Sequence, residues 1–242
     1  MMRKPRIIAS LMSLFVLAVL ILLGNWQMER LAWKEALIAR VSERLDAPPE
    51  WVPNARRWPE LSAAQDAYKR VLFAGKFNYE KEIYWYAGAY RGATGVHVIT
   101  PLQQLDGTYI LVNRGFVPDR LKDPKTRIKG QLEGHHNLSG LMRWPSKRGM
   151  FEPENDTKNN LWFSRDLDQM ADYLGLEVAP FFIELDADSG FEGGPIAGQT
   201  RVQFSNRHLE YAMTWYGLAL TLVVIFILWH ILPQHRKPDD DL

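Results

Sequence analysis

Two apolar runs, Ile7–Gly24 and Trp215–Leu232, lie near the ends of this chain. Each has the length a helix needs to cross a bilayer, roughly 17–25 residues. Only Ser10 and Ser13 interrupt the first; Thr221 and His230 interrupt the second mildly. Residues 25–214 between them are polar, mixed in charge and too irregular to cross. The mean hydropathy of −0.23 therefore averages two unlike parts. The rival readings are a pair of buried core helices and, for the first run, a cleaved signal peptide. Length and terminal placement argue against the first rival. Against the second, the apolar run after Arg3, Lys4 and Arg6 exceeds the usual signal length, and no A-x-A site follows.

The expected organisation is a cytoplasmic start (1–6), a first transmembrane helix (7–24), an external domain (25–214), a second transmembrane helix (215–232) and a cytoplasmic tail (233–242). Arg3, Lys4, Arg6, Arg236 and Lys237 on the side of the termini outnumber Arg30, Lys34 and Arg207 on the other. Trp26, Trp33, Trp215, Tyr216 and Trp229 suit interfacial aromatic belts. With 29 basic against 28 acidic residues, no basic excess points to nucleic acid. The absence of cysteine excludes disulfides, thiolate metal sites and cysteine nucleophiles.

Beyond the first run, helical spacing continues to about Leu45, and four prolines make 46–59 irregular. Strands are expected near Lys69–Phe73, Glu82–Ala87, Val96–Leu102, Thr108–Asn113, Lys129–Glu133, Asn137–Trp144, Leu161–Ser164, Phe181–Leu185 and Thr200–Phe204. Asp106-Gly107 marks a hairpin. Asp166 caps a helix over Leu167–Leu174 that Gly175 stops. The fold class is thus an α+β membrane protein. Two transmembrane helices flank an external antiparallel β-rich domain, barrel- or sandwich-like, with one short helix.

His208, Tyr211 and Trp215 share a helix face at the entry to the second run, where Trp26, Gln27 and Arg30 can meet them. Two readings stay open on residue types alone. One is an interfacial histidine with aromatic membrane anchors. The other is a haem pocket, in which imidazole ligates iron, rings cover the macrocycle and arginine neutralises a propionate. His230, 22 residues on, is too far to share that site and suits an interface. His135 and His136 read as a solvated pair on a turn, and His97 as a satisfied core residue. Asn113-Arg114-Gly115 closes an apolar strand in a turn, with Arg114 pairing a carboxylate. No G-x-S-x-G, H-E-x-x-H or Walker pattern is present, so the expectation is not an enzyme.

Four segments resemble one known family. Gly24-Asn25-Trp26-Gln27-Met28-Glu29-Arg30 is similar to its G-x-W-Q-x-x-R segment. Gly95–Leu102 resembles its G-x-x-V-x-T-P-L strand, and Leu111–Pro118 its L-V-N-R-G-W-V-P turn, with Phe116 for tryptophan. Asn206–Tyr216 resembles its N-x-H-L-x-Y-A-x-T-W-F/Y entry into the second span. The family is that of Surfeit-locus protein one (Shy-one in yeast), and the segments fall in its order along nearly the whole chain. The resemblance implies a cytochrome c oxidase assembly factor that binds haem a and assists its delivery to subunit I of an aa3-type oxidase. It further implies His208 as the iron ligand, with Tyr211 and Trp215 in the same motif. Haem contact by Trp26, Gln27 and Arg30 is an inference from their place in the first-span motif. Asn113, Arg114 and Gly115 take a structural or partner-binding role. Haem a synthase is a further expected partner, alongside membrane lipid. The sequence shows no long Arg/Ser-rich leader, from which a bacterial inner membrane and a periplasmic central domain are expected. A scaffold that stabilises an oxidase intermediate without haem is the alternative function.

Overall fold

A computed structural model describes residues 4–131, 133–145, 148–199 and 204–231, with no side-chain description for residues 4–6. Two compact units divide the chain: Met1–Arg40 with Gln203–Leu242, and Val41–Val202. Arg3, Leu232 and the tail with Arg236 and Lys237 lie outside the described residues.

The first unit is a pair of helices, α1 (Lys4–Asp46) and α4 (His208–Ile231). With 43 residues, α1 is about 65 Å long; it ends where periodicity placed it. The shielded residues of α1 include Ser10, Ser13, Leu17, Leu20, Gly24, Gln27, Leu31 and Lys34. Those of α4 include His208, Ala212, Trp215, Ala219, Leu222 and Phe226. Both sets alternate spacings of three and four, the seam of two helices packed side by side. Contacts run antiparallel along it, from Gln27–His208 through Asn25–Tyr216 to Ser10–His230. Gly24 admits the Tyr216 ring; a Cβ there would fall 2.5 Å from it. Only 6% and 11% of the most apolar windows are buried, so these are not core helices of a soluble fold. Leu14, Phe15, Leu22 and Leu220 point outward, as a lipid-facing surface requires.

Among its described residues the second unit is built on eight strands: β1 (Glu50–Trp51), β2 (Arg70–Phe77), β3 (Ile83–Tyr90), β4 (Ala93–Gln103), β5 (Tyr109–Pro118), β6 (His136–Arg143), β7 (Leu161–Trp162) and β8 (Val178–Leu185). Strands β2, β6, β8, β5 and β4 follow one another in the sheet, and β2 pairs back to β4 through Phe77↔Leu102. The five close a small barrel, one of the two forms, barrel or sandwich, that the strand pattern left open. Most pairings are antiparallel, while β5–β8, β1–β2 and β3–β7 are parallel. The last turn of α1 belongs to this unit. Arg44 donates from it to the carbonyls of Ala64 (2.7 Å) and Ala67 (2.8 Å) on and just after α2 (Ala63–Asp66).

Alternation along the strands divides the core. Phe73, Ile110, Val112, Phe181 and Ile183 fill the barrel. Their neighbours Leu111 and Phe182 point outward, beneath α3 (Leu167–Leu174), which lays Leu167, Met170 and Leu174 on them beside Trp162. Asp166 caps α3 by accepting from the Gln169 N–H (3.1 Å), and Gly175 ends it at φ 62°. The Asp106-Gly107 hairpin joins β4 to β5, with Gly107 at φ 85°.

Three expectations need correction. The strand expected at Lys129–Glu133 is absent among the described residues. Pro124–Gly130 instead forms 3-10 turns, because Asp123 accepts from the Lys125 N–H (2.9 Å) and proline starts the turn. Leu132, and residues 200–203 of the expected Thr200–Phe204 strand, lie outside the described residues. His136 opens β6 with its Nε2 buried and its ring 5.3 Å from that of Phe191, so it is no solvated turn residue. His97 is not the satisfied core residue expected: its ring stacks on Trp85 (5.2 Å), but Nδ1 is buried without a hydrogen-bond partner.

Phe181 is fully buried with Trp58 and Trp144 against it. Phe181→Ala is expected to lower stability by about 3–5 kcal/mol, read as an earlier midpoint in urea unfolding of the detergent-solubilised chain. Burial pulls the His97 pKa below the ordinary value, and the Glu184 charge partly offsets it. The unfolded chain therefore takes up a proton that the folded one resists. Stability is full above pH ~6.5 and falls as pH drops below that, by at most about 1.4 kcal/mol per unit for one proton. Unfolding midpoints between pH 5 and 7.5 should show this slope, and His97→Phe should reduce it.

Candidate functional site

His208 is the first residue of α4, and Gln27 lies on the shielded face of α1. Although 181 positions separate them, His208 Nδ1 and Gln27 Oε1 are 2.7 Å apart. The amide oxygen accepts, so Nδ1 carries the proton and Nε2 presents its lone pair. No hydrogen bond to a described residue engages Nε2. Histidines that ligate metals are oriented in this way, by a donor bond from the second ring nitrogen. Gln27 is buried, so its bond is shielded from water, whereas His208 is half-buried and reachable. Asn206 accepts from the His208 backbone N–H at 3.4 Å, beside the helix start.

The other residues of the expected cluster surround this pair less closely. Trp26 and Tyr211 are half exposed, and Trp215 sits on the seam. Arg30 places its guanidinium over Trp33, 4.3 Å from the ring centre. Three further contacts lie beside the expected cluster. Tyr216 donates to Asn25 Oδ1 (2.7 Å), its ring fills the space left by Gly24, and Lys34 lies 5.0 Å from the Phe204 ring. A glycine one turn from a buried glutamine was the available signal for the close approach. His230 instead bonds the Phe226 carbonyl from Nδ1 (2.9 Å).

Asn113, Arg114 and Gly115 belong to the β-rich unit. Asn113 Oδ1 accepts from the Gly115 N–H (3.0 Å). Gly115 has φ 116°, and a Cβ would fall 2.0 Å from the Ile196 carbonyl oxygen, so only glycine fits. Arg114 is 1% exposed and donates to Glu82 Oε1 (3.0 Å) and to the Gly130 carbonyl. Arg127 grips both oxygens of the same carboxylate, at 3.1 Å to Oε1 and closely at Oε2. The expected carboxylate partner of Arg114 is thus Glu82, held by a second arginine that spacing did not reveal. Tyr79 and Phe77 face the Arg114 guanidinium at 4.8 and 5.2 Å. Burial lowers the Arg114 pKa, and Tyr79 and Glu82 oppose that shift. Burial, then the Glu82 charge, pushes the Tyr84 phenol up to about 12. The bonds of this turn all close within its own unit.

Comparison with known proteins places these features in context. The family model described as "SURF1 family" matches residues 14–220, a stretch that contains both Gln27 and His208. "Surfeit locus protein 1" of Takifugu rubripes is 41% identical over 212 residues, covering 81% of this chain and 86% of its own. The Homo sapiens protein of that name is 41% identical over 213 residues, 81% of this chain and 69% of its own. A "SURF1-like protein" of Caenorhabditis elegans is 33% identical over 225 residues, 85% of this chain and 68% of its own.

Glu82→Gln leaves two buried guanidiniums without their countercharge. Its expected cost is about 3–5 kcal/mol, measured by chemical denaturation, together with faster proteolysis around residues 119–131.

Proposed function

The chain belongs to the SURF1 family, and on that premise we propose that it assists cytochrome c oxidase assembly by holding haem a for delivery to subunit I. The pairing of His208 with Gln27 at 2.7 Å carries this reading. His208 Nε2 would be the ligand, and Gln27 would fix the tautomer and ring orientation that keep its lone pair available. Trp26, Tyr211 and Trp215 supply ring surface for an apolar macrocycle, and Arg30 a cation for a propionate. When bound, haem supplies an iron centre that accepts the imidazole lone pair and a visible absorption band that reports it. A single protein ligand on a half-exposed helix start holds such a group while leaving it exchangeable. The role is that of a carrier, not an enzyme. It acts from a bacterial inner membrane, with both termini cytoplasmic and the β-rich unit periplasmic. Subunit I and haem a synthase are its protein partners, and lipid surrounds the helix pair.

A second reading, a scaffold that stabilises an oxidase intermediate without haem, is favoured by one observation. Met150 and Phe151 stand side by side, 90% and 95% exposed, on the β-rich unit.

Protein purified from cells that make haem a should carry its absorption spectrum. His208→Ala should abolish it, and Gln27→Leu should weaken haem affinity about 10–100-fold. Unchanged haem stoichiometry in His208→Ala would sink the carrier reading. Normal oxidase haem content in cells bearing that variant would favour the scaffold.

A further inference from the structure

The outer face of the barrel carries two kinds of surface. Where α3 covers it, the outward residues are apolar. Beside α3, the same strands turn polar and line a cavity of about 200 Å³ with Trp85, His97, Asn113, Arg143, Arg165 and Glu184. Strand register accounts for the grouping: Trp85 pairs with His97 across β3–β4, and Asn113 with Glu184 across β5–β8.

The charges here are built in. Arg165 donates to Glu184 Oε1 (3.1 Å) and lies over Trp85 and Phe182, at 4.7 and 5.0 Å. Arg143 approaches Glu184 Oε2 at 3.7 Å and lies 4.4 Å over Tyr68. Both arginine side chains are 16% exposed, so they are fixed at the cavity wall but open to it. Among the described lining residues two guanidiniums meet one carboxylate, a balance of one positive charge. Asn113 spends its oxygen on the Gly115 N–H, which leaves its amide N–H groups as donors. His97 adds a buried Nδ1 with no hydrogen-bond partner. A cation is repelled by the guanidinium pair, whereas a planar monoanion matches the arginine fork. Trp85 also lines the cavity, its ring held between His97 and the Arg165 guanidinium.

We propose that this cavity binds a small organic monocarboxylate, its carboxylate held by Arg143 and Arg165. The site is separate from the helix pair and does not depend on haem binding.

Titration calorimetry on the full chain in detergent micelles, with sodium butyrate as probe, tests it. Saturable one-to-one binding is expected. The neutral isostere butyramide should not bind, and inorganic phosphate should bind at least about tenfold more weakly. Arg143→Gln should weaken butyrate about tenfold. Glu184→Gln keeps an acceptor for Arg165 but removes the competing charge, and should tighten binding. Unfolding midpoints without ligand verify that each variant is folded, and Arg143→Lys replaces Arg143→Gln if that variant is not. Absence of saturable butyrate binding would overturn the proposal. So would equal binding of phosphate or butyramide, or affinity unmoved by both the Arg143 and Glu184 changes.

Discussion

One buried carboxylate organises the β-rich unit. Glu82 stands just before β3 and is gripped by Arg114 from β5 and Arg127 from the turns at 124–130. Three segments that share no strand pairing at that point are thereby fixed to one another. Burying such ions costs several kcal/mol each, so the cluster is a poor source of net stability. Its value lies in direction: an arrangement that separates these segments leaves buried charges unpaired. The excess positive charge is shared with the Gly130 carbonyl and the faces of Tyr79 and Phe77. Gly115 completes the arrangement by letting the chain around Ile196 lie against the end of β5.

The helix pair solves a different problem with the same economy of polar groups. Its seam is mostly small and apolar residues, and among the described residues hydrogen bonds cross it at Ser10–His230, Asn25–Tyr216 and Gln27–His208. Between two apolar helices in lipid, such bonds fix register where hydrophobicity cannot discriminate. Gln27 and His208 therefore serve two purposes, aligning the helices and orienting the imidazole.

Local chemistry was legible in the sequence; distant partnership was not. Asp166 and Gly175 delimit α3 because a cap and a left-handed glycine act within one turn. Asp106-Gly107 announced its hairpin for the same reason. The heptad-like spacing of Ser13, Leu17, Leu20, Gly24 and Gln27 was present, but masked in a run that is apolar all round. Closure of the barrel by Phe77 against Leu102, and the parallel pairing of β5 with β8, leave no trace in local pattern. The strand expected at Lys129–Glu133 fails because Asp123 and Pro124 start 3-10 turns that run to Gly130, and Arg127 within them is drawn inward by Glu82. Glu82 itself looked like any surface glutamate. Motif resemblance, by contrast, had picked out Gln27 and His208 as members of separate segments, and the structure shows them bonded.

The parallel pairing of β5 with β8 also sets a timetable. Asn113 must wait for Glu184, 71 positions later, before that part of the wall can form. At ribosomal speeds of about 5–20 residues per second, the interval is on the order of 4–14 s. During it β4 and β5 can zip into a hairpin while the far edge of β5 stays unpaired. That edge is a template for wrong strands. A nascent chain of this kind is therefore most vulnerable in the middle of its own synthesis, when its first helix is complete and its barrel still lacks a wall.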